Sequence, residues 1–348
     1  MLRVGFVGCG FMGQVAHLPN FLDRPECRVV ALAEHRQQLA RKVAARYHIP
    51  RVYGSHEELL ENEELDCLVA ITQPQLNPLI SQAALRKGLY TMVEKPMAVN
   101  VAEAEQMARA EQESAGYLMV AFMKRYDPGV EKAKALLDQF RQTGELGEPL
   151  RCEAHCFGGN WLAGKHPHLT TEEAPYPLPE AKVAEGIAQD LHQMYMAFNN
   201  VCSHNLNLLR FLLGQRPRVE HAWAQARTMS LELDCGGLPA HFTFGFVNAG
   251  WWVEETQVYF TDGWVRLRTP PPLLRNVPAE VEIYRGGERN EKWVPRAPWG
   301  WAFRREADHF LECARNGKAP LTCAADSVED VRMVEEVFLH CSAREARG

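Results

Sequence analysis

Apolar residues along the chain follow two rhythms. In the first third, short unbroken apolar runs alternate with helical patterns. The runs fall at residues 4–7, 28–33, 65–71, 90–93 and 117–122, each reading as a strand. Continuous apolar strands are what the interior of a parallel sheet needs. Helices are expected at residues 36–47, with Leu39, Val43 and Ala44 on one face, and at 77–87, stopped by Gly88. Ser55-x-x-Glu58 and Asn100-x-x-Glu103 each look like the start of a further helix. Pro19 lies inside the first expected helix, so that helix should kink or stop nearby. Strand and helix in alternation predict an α/β fold with a doubly wound parallel sheet.

From about Leu150 the rhythm changes to consecutive strands, at 150–157, 219–226, 231–233, 241–247, 257–260, 264–267 and 280–284. Asp262-Gly263 signals a tight hairpin, and the set predicts a mostly antiparallel open sheet. The second face of such a sheet needs cover from helices or from another subunit. Two closing helices are expected at 304–314 and 327–342, with Phe310, Val334 and Phe338 in the core. The stretch 158–182 has no regular pattern and carries Trp161, Lys165, His166, His168 and Tyr176. Irregular segments of that length are usually functional, and this one is expected to wall a pocket or to serve as a subunit arm. The expected domains are 1–123 and 124–348, with the C-terminal helices able to pack back on the first.

Composition narrows the function. A net charge of −6 without a Lys/Arg run argues against nucleic acid. No apolar stretch is long enough to span a membrane. Met1-Leu2-Arg3 leads directly into the first strand, so a cytoplasmic enzyme is expected. The 10 cysteines contain no Cys-x-x-Cys pair, which suits reduced, buried thiols. Cys152, His155 and Cys156 are close in sequence, but on a strand His155 points away from the two cysteines, and no metal is expected.

The first apolar run ends in Gly8-Cys-Gly10-Phe11-Met12-Gly13 and a helical pattern follows. Strand, glycine turn and helix form the context in which this fingerprint binds a dinucleotide. Gly8 permits the turn, Gly10 lets the backbone approach a pyrophosphate, and Gly13 lets helix and strand pack closely. Glu34 lies 21 residues after Gly13, where an acid accepts hydrogen bonds from the adenine ribose. That acid favours NAD, while Arg36 could admit NADP. Thr72-Gln73-Pro74 and Glu94-Lys95-Pro96 follow the next strands at the carboxyl edge, where ligands of open α/β sheets bind. His17 is expected to be a packing residue. Later, Asn200, His204 and Asn207 share one face of a helix that ends at Gly214.

These motifs, with Phe122-Met-Lys124-Arg125-Tyr-Asp127-Pro and Gly144-Glu-Leu-Gly-Glu-Pro, resemble the glucose-fructose oxidoreductase / inositol dehydrogenase / MocA (Gfo/Idh/MocA) family over nearly the whole chain. The resemblance implies an NAD(P)-dependent oxidoreductase acting on a sugar, polyol or related carbohydrate. It implies a homodimer or homotetramer formed through the second sheet. Family members carry Asp-x-x-x-His-x-x-Asp on the later helix, so His204 matches the catalytic histidine, with Asn200 and Asn207 in place of the acids. Pro78 also stands where many members have His. His204 and Lys95 are then the expected proton-handling pair, and Asn200 holds a neighbouring hydroxyl. Lys124, Arg125 and Trp161 are expected substrate contacts. The aspartate changes leave open a glycoside-processing enzyme that oxidises transiently, or a non-catalytic dinucleotide sensor.

Overall fold

The computed structural model describes residues 1–225 and 227–345. The chain forms two compact units. The first comprises Met1–Phe122, Lys165–Ala184 and Phe303–Arg332; the second comprises Met123–Gly164, Glu185–Ala302 and the residues from Met333. Segment 165–184, inside the second expected domain, groups with the first unit, and so does 303–332, which holds most of the closing helices that were expected to be able to pack back. The reason is packing: Leu169 and Glu173 bond to its backbone and side chains, and Phe310 meets Phe21 edge-on at 6.0 Å.

The first unit is built on a six-stranded parallel sheet. Its strands are β1 (Leu2–Val7), β2 (Cys27–Ala33), β3 (Arg51–Tyr53), β4 (Cys67–Ala70), β5 (Tyr90–Glu94) and β6 (Leu118–Ala121), in the order β3-β2-β1-β4-β5-β6. The order reverses direction between β1 and β4, which puts the ligand crevice of a doubly wound sheet beside the Gly8 turn. Helices α1 (Leu18–Leu22), α2 (Gln37–Tyr47), α3 (His56–Asn62), α4 (Asn77–Arg86) and α5 (Val101–Gln112) connect the strands. The expected caps form: Ser55 Oγ accepts from Glu58 N–H at 3.2 Å, and Asn100 Oδ1 accepts from Glu103 N–H at 2.8 Å. The helix after the glycine turn changes character near Pro19. A π-helical turn, Gly13–His17, precedes α1, and Pro19 sits in the first turn of α1, where its missing N–H costs no internal bond.

The second unit contains α6 (Pro128–Thr143), β7 (Pro149–Gly159) and α7 (His192–Leu213), then β8 (Arg218–Gln225), β9 (Thr228–Cys235), β10 (Leu238–Gly245), β11 (Trp252–Phe260), β12 (Gly263–Arg268), β13 (Glu280–Arg285) and β14 (Glu291–Trp293). The expected strand end at Ala226 lies outside the described residues. The eight strands run β14-β13-β12-β11-β7-β10-β9-β8, and all neighbours are antiparallel except β7 and β10. The β11–β12 turn is Thr261-Asp262, one residue earlier than expected, with Phe260 paired to Gly263. Gly263 is needed for another reason: a Cβ there would lie 2.1 Å from the Tyr284 carbonyl oxygen. Two further helices, α8 (Ala302–Asn316) and α9 (Ala324–Glu345), bury Phe310, Val334 and Phe338.

Candidate functional site

In the first unit, the turn after β1 has the shape of a phosphate cradle. Gly8 has φ +84°, and a Cβ there would lie 2.4 Å from the Ile71 carbonyl oxygen. Gly13 is held as tightly, its Cβ position 2.8 Å from the Gly8 carbonyl oxygen. Gly10 differs: the nearest atom to its Cβ position is Arg36 Nη2 at 3.5 Å, an ordinary contact. The protein's own packing therefore asks for glycine at two of the three positions. The bare backbone at Gly10 is what a closely approaching pyrophosphate needs, so the turn fits a dinucleotide.

At the end of β2, Glu34 is buried and hydrogen-bonded at both oxygens. Its carboxylate accepts from Cys9 N–H at 3.1 Å and from Arg36 N–H at 3.1 Å. The Arg36 guanidinium closes on it with Nε and Nη2 both at 2.9 Å. Burial alone would raise the Glu34 carboxyl, but the Arg36 guanidinium and these backbone donors outweigh it and hold it below the usual carboxylate range.

Lys95 leaves the carboxyl end of β5, half-buried, and the Lys95–Pro96 bond is cis. Its backbone is clamped by Asn77, whose Nδ2 donates to the Glu94 carbonyl at 2.7 Å and the Pro96 carbonyl at 3.0 Å. Thr72 Oγ1 lies 3.1 Å from Asn77 Oδ1, which ties the Thr72-Gln73-Pro74 turn to the same clamp. Behind Lys95, the buried Glu94 carboxylate is 2.8 Å from His17 Nε2. Burial pushes the Glu94 carboxyl up, but His17 and Lys95 bring it below the usual range. His17 also meets Phe303 edge-on at 5.3 Å, so it packs and pairs inside the unit, as expected.

In the second unit, α7 carries the polar stripe. It ends at Gly214, whose φ of +78° closes the helix. Along the stripe exposure falls: Asn200 is exposed, His204 half-buried and Asn207 buried. Asn207 Oδ1 accepts from Arg125 Nε at 2.9 Å, and the Arg125 guanidinium lies 5.1 Å from the Phe211 ring centre. Lys124 pairs with Glu254 on β11, and Asn205 Nδ2 donates to the same carboxylate at 2.6 Å. Lys124 and Arg125, expected to touch substrate, are thus buried and bonded within the unit. Trp161 is 43% exposed. On β7, Cys152 and Cys156 are buried on one face while His155 faces the other way. Among the described residues, no three His, Cys, Asp or Glu side chains gather as a metal site.

The model of an oxidoreductase family with an NAD-binding Rossmann fold, Gfo/Idh/MocA, matches residues 2–122. A trans-1,2-dihydrobenzene-1,2-diol dehydrogenase of Bos taurus is 34% identical, covering 97% of this chain and 96% of that one. The chain belongs to the Gfo/Idh/MocA family. It is an NAD(P)-dependent dehydrogenase or reductase acting on CH–OH groups. A D-apiose dehydrogenase of Paraburkholderia graminis is 25% identical over 98% of this chain and 87% of that one. Among solved structures, an aldose-aldose oxidoreductase from Caulobacter crescentus complexed with glycerol matches with a TM-score of 0.75. It is 20% identical and covers 99% of this chain and 98% of that chain, a likeness of fold.

Several residues of this Gfo/Idh/MocA chain are not evident from the sequence as site-builders. Asn77 reads there only as a helix start, and its clamp joins β4 and β5 loops that are distant in sequence. Asn205 and Glu254 carry one usable signal. Glu254 falls on the inward phase of β11, and an acid on a buried face demands a cation, which Lys124 provides.

Proposed function

We propose that the protein oxidises a secondary hydroxyl of a diol, polyol or sugar with NAD, or reduces the corresponding ketone. The observation that carries this reading is Lys95, clamped by Asn77 at the carboxyl edge of a sheet whose first turn is a dinucleotide cradle. Support comes from the full-length likeness to a diol dehydrogenase and to a sugar dehydrogenase. The bound nicotinamide supplies hydride acceptance in one direction and donation in the other. Glu34 would hold the adenine ribose by accepting from its hydroxyls. His204 takes the hydroxyl proton, a task suited to a side chain with an ordinary pKa of ~6.5. The Lys95 ammonium donates to the same oxygen and stabilises the charge developing there. Asn200 can orient a neighbouring hydroxyl but cannot hold a proton in transit. Proton handling therefore rests on His204 and Lys95.

The outer face of the eight-stranded sheet is the proposed homodimer or homotetramer surface. Trp223 and His155 lie on it in one row of paired residues and Tyr259 and Trp264 in another, with Trp223 and Tyr259 each 38% exposed.

The test is the absorbance of reduced nicotinamide when the purified protein and NAD meet a panel of cyclic diols, inositols, pentoses and hexoses. Turnover on at least one vicinal diol or sugar is expected. Absence of turnover on every member, with cofactor bound, would remove the substrate reading.

A further inference from the structure

Residues 165–176 contain neither helix nor strand, yet they are fastened to the first unit. Lys165 Nζ lies 5.9 Å from the Phe11 ring centre, and His168 meets the same ring edge-on at 4.9 Å. Leu169 N–H donates to Gln14 Oε1 at 2.8 Å, while Gln14 Nε2 donates back to the Leu169 carbonyl at 3.0 Å. Tyr176 meets His35 edge-on at 5.4 Å. The Glu173 carboxylate accepts from Gln38 N–H and Leu39 N–H, each at 3.0 Å, and from the Thr171 hydroxyl at 2.9 Å. Every anchor lies in the glycine turn, at the start of the helical turn that follows it, or in the loop and first turn after β2. Those are the two places where a dinucleotide fold holds the pyrophosphate and the adenine ribose.

The charges around the end of β2 form a closed set. Arg36 is the cation positioned to accommodate a ribose 2′-phosphate. It is already closed on Glu34, and the Glu173 carboxylate adds a second attraction on it. The first N–H groups of α2, which would otherwise attract an anion, are occupied by the chain's own carboxylate. Two carboxylates thus face one guanidinium. A plain ribose needs hydroxyl acceptors here, and Glu34 supplies one. A 2′-phosphate, with a charge of about −1.5 to −2 near neutral pH, would meet net negative charge and filled donors.

We propose that Glu173 is a specificity-determining residue of the dinucleotide site, and that segment 165–176 delivers it there to favour NAD over NADP. The inference rests on the proposed reading of the first unit as a dinucleotide site. The test is calorimetric titration of the full chain with NAD and with NADP, for the wild type, Glu173→Gln and Glu173→Ala, with thermal melting alongside. The wild type should bind NAD more tightly. The ratio of NAD to NADP affinity should fall about tenfold or more in both variants, through a gain for NADP. An unchanged ratio, with NAD still bound, would overturn the role of Glu173 and leave the dinucleotide reading standing. Equal loss or equal gain for both cofactors would also overturn it, because a purely structural clasp makes no distinction between them. A wild type that binds neither cofactor would remove the dinucleotide reading and this inference with it.

Discussion

Glu306 on α8 is fully buried, and neither of its carboxylate oxygens has a hydrogen-bond partner among the described residues. Burial, helped by the nearby Glu94 charge, pushes its carboxyl well above the usual glutamate range. In the unfolded chain the same group ionises near its ordinary value of 4.5. As pH rises past that value, the unfolded state loses this proton while the folded state keeps it. The contribution of this group to stability is therefore full at low pH and falls as pH climbs, by up to ~1.4 kcal/mol per pH unit until Glu306 ionises in the fold. Glu306→Gln should abolish that slope. Melting temperatures of variant and wild type should differ least near pH 4.5 and separate toward about pH 8, with the variant gaining on the wild type. A gap independent of pH would contradict the account. Glu306 could not be singled out from the sequence, since a helical glutamate is by default a solvated one. Lys95 and His204 were singled out only with the family resemblance beside their motifs. Asn77 and Asn205 were not, because their partners lie elsewhere along the chain.

At the scale of elements, β11, α7 and the Met123–Tyr126 turn are joined by the Lys124–Glu254–Asn205 network. Removing one member of a buried ion pair leaves the other charge without compensation. Glu254→Ala should lower unfolding free energy by about 3–5 kcal/mol, measured by urea titration, whereas Glu254→Gln, which keeps an acceptor, should cost less. A loss under about 1 kcal/mol for the alanine variant would show that the network holds nothing together. Most elements were legible from apolar rhythm, since β1, β4 and β6 read as unbroken runs and are buried. The exceptions have physical causes. Strand β3 is three residues long with no fully buried side chain, and β14 is Glu-Lys-Trp with all three exposed, so neither carries an apolar signal. The parallel pairing of β7 with β10 depends on where the chain returns after α7, which periodicity does not encode.

For the whole molecule, sequence order and unit membership part company. Segment 165–184 lacks periodicity of its own, and contacts distant in sequence, such as its bonds to Gln14, Gln38 and Leu39, assign it to the first unit. Thiol chemistry gives a test of the fold as a whole. Burial pushes the Cys27 thiol up to about 11 and those of Cys156 and Cys235 up to about 12, and Cys67, Cys152 and Cys202 rise for the same reason. Thiolate is the reactive form, so the native protein near neutral pH should resist an aromatic disulfide reagent. Cys323, the half-buried one, should react first, and all 10 thiols should titrate after denaturation. Rapid labelling of several thiols in the native state would contradict the buried assignment.

The central proposal is that Lys95 and His204 both serve the oxidation of the substrate hydroxyl, with the hydride acceptor supplied by a bound nicotinamide. Its most direct test is pre-steady-state reduction of bound NAD by a turned-over substrate, in the wild type, Lys95→Ala and His204→Ala. The account predicts that each variant binds NAD yet transfers hydride on the order of 10²-fold more slowly or worse. Hydride transfer at close to the wild-type rate in either variant would contradict it.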